Sequence, residues 1–153
     1  MHDRASFLRR LVRLGPGNAR LLGEALLSLA AASLAIRLLP FRRTAELMAG
    51  SAGRASPLDP AARDRIANRC RWAVAYLADR VPWRAVCFQR GLALHWMLRR
   101  RGIPSTLHYG VAQGGGGGEG LRAHVWVSAG ERVLMGGEEA PKFACLATFP
   151  ARD

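Results

Sequence analysis

A chain of 153 residues is one domain by the usual prior, long enough for a buried core and too short for two. Half of its residues are apolar, which excludes a disordered chain, and 23 Lys plus Arg against 11 Asp plus Glu leave a formal charge of +12. That balance suits an acidic protein or peptide, nucleic acid or an anionic membrane face, but the sparse aromatics are not interleaved with the arginines and offer no base-stacking platform.

Residues 1 to 19 are basic, with Arg9, Arg10 and Arg13 among apolar neighbours, and Gly15-Pro16-Gly17-Asn18 breaks the pattern. An apolar helix is expected from about Ala19 to Leu39, ended by Pro40. Glu24 and Arg37 leave an uninterrupted run of only 12 residues between them, short of the roughly 20 that a membrane span needs. A signal peptide would have the basic start and the apolar stretch, but not the interruption at Glu24. A packing helix is the reading adopted, with membrane-surface association through the basic first turn as the minor one.

Residues 41 to 57 read as a short helix and a linker. Asp59 is a good N-cap and Pro60 a good first-turn residue for the next helix, in which Ile66, Cys70, Ala73, Val74 and Leu77 form a core stripe. Val81-Pro82-Trp83 ends it. A further helix starts at Cys87, runs about four turns and stops at Gly102 with Pro104 behind it. Period-two alternation follows: Ser105 to Ala112 with Leu107, Tyr109 and Val111 on one face, then Leu121 to Val127 with Arg122, His124 and Trp126 on one face. Five glycines from Gly114 to Gly118, with no Lys-Ser/Thr after them, are a flexible loop tip. A tight hairpin at Ser128 to Glu131 leads to a third strand, Arg132 to Met135. The turn Gly136 to Pro141 then precedes a last apolar segment, Phe143 to Phe149, expected to pack on the sheet. Helices followed by an antiparallel meander make the fold class α+β. Residues 1–60 form N-terminal helices and linker, and 61–153 form the core.

Three cysteines without CxxC spacing argue against a disulfide framework and for a reducing, cytoplasmic setting. Four histidines make no HxxxH or HExxH pattern, so no zinc site is expected. Cys70 and Cys145 read as core residues. Cys87 falls at a helix N-terminus, where free N–H groups and the positive end of the helix dipole favour an anion, and it is either a nucleophile or a small core side chain. A thiol hydrolase also needs an imidazole and a group that orients it. His124 supplies the imidazole, on a strand 37 residues later.

Cys87-x-x-Arg90-x-Leu92-Ala93-Leu94, then Leu98-Arg99-Arg100-Arg101-Gly102-Ile103-Pro104, a strand ending in Gly110-Val111, and Ala123-His124-Val125-Trp126-Val127 resemble the leader peptidase (B2 protein) of lasso peptide biosynthesis. This is a branch of the transglutaminase-like, papain-related cysteine proteases. The likeness covers about residues 70 to 149 and implies a papain/transglutaminase-like core, a Cys at a helix N-terminus against a small antiparallel sheet. It also implies a cysteine endopeptidase that removes the leader of a ribosomally made precursor, without a cofactor or metal. Cys87 would be the nucleophile and His124 the general base. Two departures stand out. Phe88-Gln89 follow the cysteine where the family often has Leu-Pro. No Asp lies about a dozen residues past the histidine, so Glu138 is the nearest orienting carboxylate, with a Cys–His dyad held by a backbone group as the alternative. Glu131, in the hairpin, is a poorer choice. The Cys87 N–H would serve the oxyanion, with Gln89 a weak second donor. The resemblance further implies a separate small leader-binding protein and an ATP-dependent cyclase as partners. Another thiol-dependent amidase or acyltransferase, or a non-catalytic basic binding module, are the alternatives.

Overall fold

The computed structural model describes residues 15–49, 57–114 and 120–149. The basic stretch 1–14, most of the linker expected before Leu58 and the tip of the glycine run lie outside the described residues.

Four helices precede the sheet: α1 (Pro16–Leu38), α2 (Phe41–Ala49), α3 (Pro60–Ala78) and α4 (Cys87–Arg100). Their ends follow the breakers in the sequence. Pro16 and Pro60 occupy first turns, and the Asp59 carboxylate accepts a hydrogen bond from the Ala62 N–H at 2.8 Å as an N-cap. At the end of α4, Gly102 adopts φ +66°, Ile103 N–H donates to the Leu98 carbonyl and Gly102 N–H to that of Arg99. This is the Schellman arrangement, and the side chains of Leu98 and Ile103 are both buried. Helix α3 ends at Ala78, three residues before the stop expected at Val81.

One face of α1 is buried, through Leu21, Leu22, Ala25, Leu29 and Ala32, and packs on α4 and α3. Glu24, Arg100 and Arg101 tie α1 to the end of α4: Arg100 Nε donates to Glu24 Oε1 at 3.0 Å, Arg101 Nη2 pairs with Oε2, and Arg100 Nη2 donates to Ser28 Oγ at 2.8 Å. The hydrogen bond from Arg101 holds the Glu24 carboxyl below its ordinary range against the opposing effect of burial. Arg99 adds a third cross-tie, its Nη1 donating to the Met48 carbonyl of α2 at 3.1 Å.

Strands β1 (Thr106–Gln113), β2 (Leu121–Ala129), β3 (Arg132–Met135) and β4 (Ala144–Phe149) make one antiparallel sheet in the order β3-β2-β1-β4. A single 3-10 turn, Ala140–Lys142, precedes β4. The last apolar segment is therefore an edge strand paired to β1, not a tail laid on a face. Cys145 corrects an expectation: it is exposed on β4, with its thiol 3.6 Å from the Ala147 carbonyl, whereas Cys70 is fully buried. A β-bulge between β1 and β4, at Tyr109 and Gly110, breaks the alternation that would have turned Cys145 inward. A single buried cluster joins Leu22 and Leu29 of α1, Met48 of α2, Val74 of α3, Leu92 of α4 and Leu107 and Val127 of the sheet.

Candidate active site around Cys87 and His124

Cys87 is the first residue of α4, after an extended Val86. Its thiol is half-buried and free. It lines a cleft of about 550 Å³ with Asp79, Val81, Trp83, Arg84 and Arg90. Arg90 closes one side: its Nε donates to the Ala85 carbonyl at 2.8 Å and its Nη2 meets Asp79 Oδ1 at 2.7 Å. These two bonds pin the loop ahead of Cys87 to the helix that follows it. Gln89 does the same from inside. Its Oε1 accepts from the Val86 N–H at 3.0 Å, so this side chain caps the helix and does not line the cleft.

Trp83 also lines this cleft, with its indole N–H buried behind the surface and without a hydrogen-bond partner. An unmade buried donor costs about 1–3 kcal/mol. Its place four residues before Cys87 is a spacing that only the loop geometry makes meaningful.

His124 lies on β2, half-buried. Its Nε2 is 2.8 Å from the Gly136 carbonyl. A carbonyl only accepts, so the neutral ring carries its proton on Nε2 and leaves the Nδ1 lone pair free. The ring stacks on Trp126 at 6.1 Å between centroids and lies 5.0 Å from Phe143. On the far side of Trp126, His108 stacks at 5.3 Å and nearly parallel. His108, Trp126, His124 and Phe143 thus form one row of rings.

Gly136 stands 12 residues after His124, at the distance where the resemblance places an Asp. It adopts φ +77°, and a Cβ there would stand 2.7 Å from the Val125 carbonyl. Only glycine lets the turn approach β2 this closely. The orienting group on His124 is therefore this main-chain carbonyl. Glu138 is exposed on the next part of the turn and makes no hydrogen bond to His124, and Glu131 is exposed in the hairpin. Glu139, next along the turn, is engaged elsewhere. Its carboxyl is held low first by the Lys142 ammonium, 2.8 Å away, with smaller contributions from Arg122 and His124.

The structure does not bring the thiol and the imidazole into contact. Gly91 of α4 faces Val125 and Val127, and a Cβ on it would come 2.7 Å from Val125 Cγ1. Alternation along β2 then turns His124 and Trp126 to the opposite face of the sheet. Among the described residues no hydrogen bond joins Cys87 to His124. A second cleft, of about 620 Å³, shares Arg90 with the first and is lined by Gly136, Gly137 and Glu138, but by neither Cys87 nor His124. No three His, Cys, Asp or Glu side chains among the described residues are grouped to hold a metal ion.

A sequence-family model described as the Transglutaminase-like superfamily matches residues 26–148, from within α1 to the end of β4. No curated protein and no solved structure matches the chain.

Proposed function

Because the chain belongs to the transglutaminase-like superfamily, whose thiol enzymes are of the cysteine protease and acyltransferase type, we propose that it is a cysteine peptidase that removes the leader from a ribosomally made lasso precursor. The observation that carries this reading is Cys87: a free, accessible thiol at the start of a helix, on an open cleft, held by the Arg90–Asp79 and Gln89–Val86 contacts. The sulfur would attack the scissile carbonyl and the leaving amine would take a proton, giving a thioester that water then hydrolyses. His124, with Nε2 anchored on Gly136 and Nδ1 free, is the proposed proton carrier. The Cys87 N–H is the proposed oxyanion donor.

The unliganded arrangement leaves the thiol and the imidazole apart, so the pair has to be completed when substrate docks. A separate leader-binding protein would deliver the precursor, and an ATP-dependent cyclase would close the freed core. One observation favours a second reading, a non-catalytic member that only holds the leader: His124 is on the sheet face turned away from α4.

The test is precursor cleavage followed by mass spectrometry, with the purified chain and its leader-binding partner. Wild type is compared with Cys87→Ala, His124→Ala and Glu138→Ala. A single cut is expected from wild type, none from folded Cys87→Ala or His124→Ala, and near-normal cleavage in Glu138→Ala. Undiminished cleavage by Cys87→Ala would remove the nucleophile assignment. Leader binding without cleavage by wild type would bring the second reading forward.

A further inference from the structure

The face of α1 turned away from the core is also apolar. Leu27, Ala31, Leu34 and Leu38 recur at four-, three- and four-residue steps along it, and the three leucines are 72%, 58% and 74% exposed. The stripe runs about 16 Å along the helix. No side chain in it can donate or accept a hydrogen bond. Leu26, Leu39 and Phe41 widen it at the side and at the turn into α2.

Its rim is cationic. Arg20 stands about two turns ahead of the stripe's first residue and Arg37 beside its last, both exposed, and neither meets a carboxylate among the described residues. Arg42 and Arg43 follow on α2, sharing the single Glu46. The only acid of α1, Glu24, is engaged by Arg100 and Arg101 and adds no free negative charge to this face. Ahead of α1 the sequence supplies Arg4, Arg9, Arg10 and Arg13 against Asp3 alone.

We propose that this face of α1 docks the protein on an anionic phospholipid bilayer, with the Leu27–Leu34–Leu38 stripe sunk among the acyl chains and the arginines on the headgroups. Large aliphatic side chains without polar groups, rimmed by positive charge, match the hydrocarbon boundary and the negative leaflet surface. By length and hydropathy α1 could cross a membrane, being the one described helix that could. It does not, because Leu22, Ala25, Leu29 and Ala32 on its other side are 2% exposed or less, committed to α3 and α4. A helix held on one side by its own domain lies flat in the interface.

The test is vesicle co-sedimentation of the full chain, which reads no catalytic step and so stands or falls apart from the peptidase reading. Vesicles of phosphatidylcholine alone are compared with vesicles containing a third phosphatidylglycerol, at low and high salt. Wild type is expected to pellet with the anionic vesicles, less so at high salt. The Leu27→Gln/Leu34→Gln/Leu38→Gln variant is expected to lose at least about tenfold in partitioning with its melting temperature kept, because the replaced side chains are already exposed. Arg37→Gln should lose about fivefold. Wild type remaining in the supernatant, or the triple variant binding as well as wild type, overturns the proposal. So does a wild-type dimer on light scattering that the triple variant dissolves while neither binds vesicles.

Discussion

The helical layer holds a fully buried imidazole and the outer face of the sheet a half-buried one, and the two do different work. In the helical layer His95 is fully buried, with Ser105 Oγ 2.9 Å from Nδ1 and the Met48 carbonyl 3.1 Å from Nε2. Both nitrogens are used, and the side chain ties α4 to the end of α2 and to the start of β1. Burial pushes its pKa down to about 4, and the Arg99 guanidinium adds to this in the same direction, so it remains neutral. On the outer face of the sheet His124 spends one nitrogen on Gly136 and keeps the other. A histidine with both nitrogens satisfied in a dry layer is a cross-tie, whereas one held by a single nitrogen can still exchange a proton.

The largest expected effect separates these roles by pH. The unfolded chain takes up a proton at His95 near pH 6.5, the folded chain only near 4. Between those values the unfolded state binds more protons, so the contribution is whole above about pH 6.5 and is lost as pH falls toward 4, by about 3 kcal/mol in all. Urea unfolding across that range should show the loss in wild type and a flatter curve in His95→Gln, from a lower starting stability at pH 7. Equal slopes in both proteins would mean that His95 does not carry the acid sensitivity. Next in size is Gly136→Ala. An alanine at φ +77° costs about 1–2 kcal/mol, and its Cβ would meet the Val125 carbonyl, so a stability loss of about 2 kcal/mol is expected. If the Gly136 carbonyl orients the reacting imidazole, precursor cleavage should fall by about 100-fold while Cys87 still alkylates with iodoacetamide at the wild-type rate. Unchanged cleavage would dissociate the turn from the chemistry.

The helices were legible because punctuation fixed their ends: Asp59-Pro60, Gly102-Ile103-Pro104 and Pro40 each act within one turn of chain. The strand faces were legible for the same local reason, since alternation in Leu121 to Val127 already put His124 with Trp126 and Val125 on the other side. What joins distant segments was not. Cys145 looked apolar by its neighbours, but a β-bulge and an edge position expose it. The sequence points to a carboxylate, Glu138, as the orienter of His124, because a side chain is visible in a sequence and a carbonyl aimed by a glycine is not. Likewise nothing local marks the reach of Arg100 to Glu24, seventy-six residues away, which comes only from packing.

The smallest effect tests the inner face of β2, where α4 comes closest. Alanine is favoured over glycine inside a helix by about 1 kcal/mol, so an exposed site would gain from Gly91→Ala. Here the new Cβ would stand 2.7 Å from Val125 Cγ1 and 3.5 Å from Val127 Cγ2. Both valines are β-branched and buried, with little rotamer freedom to yield. Overpacking of this kind costs about 1–3 kcal/mol, leaving a net loss of about 1 kcal/mol after the helix gain. Adding Val125→Ala to Gly91→Ala should give a double mutant more stable than the two single losses sum to, since one change makes room for the other. Additive losses would show that α4 and β2 are not in the contact described. That contact also fixes which way β2 turns its alternate residues.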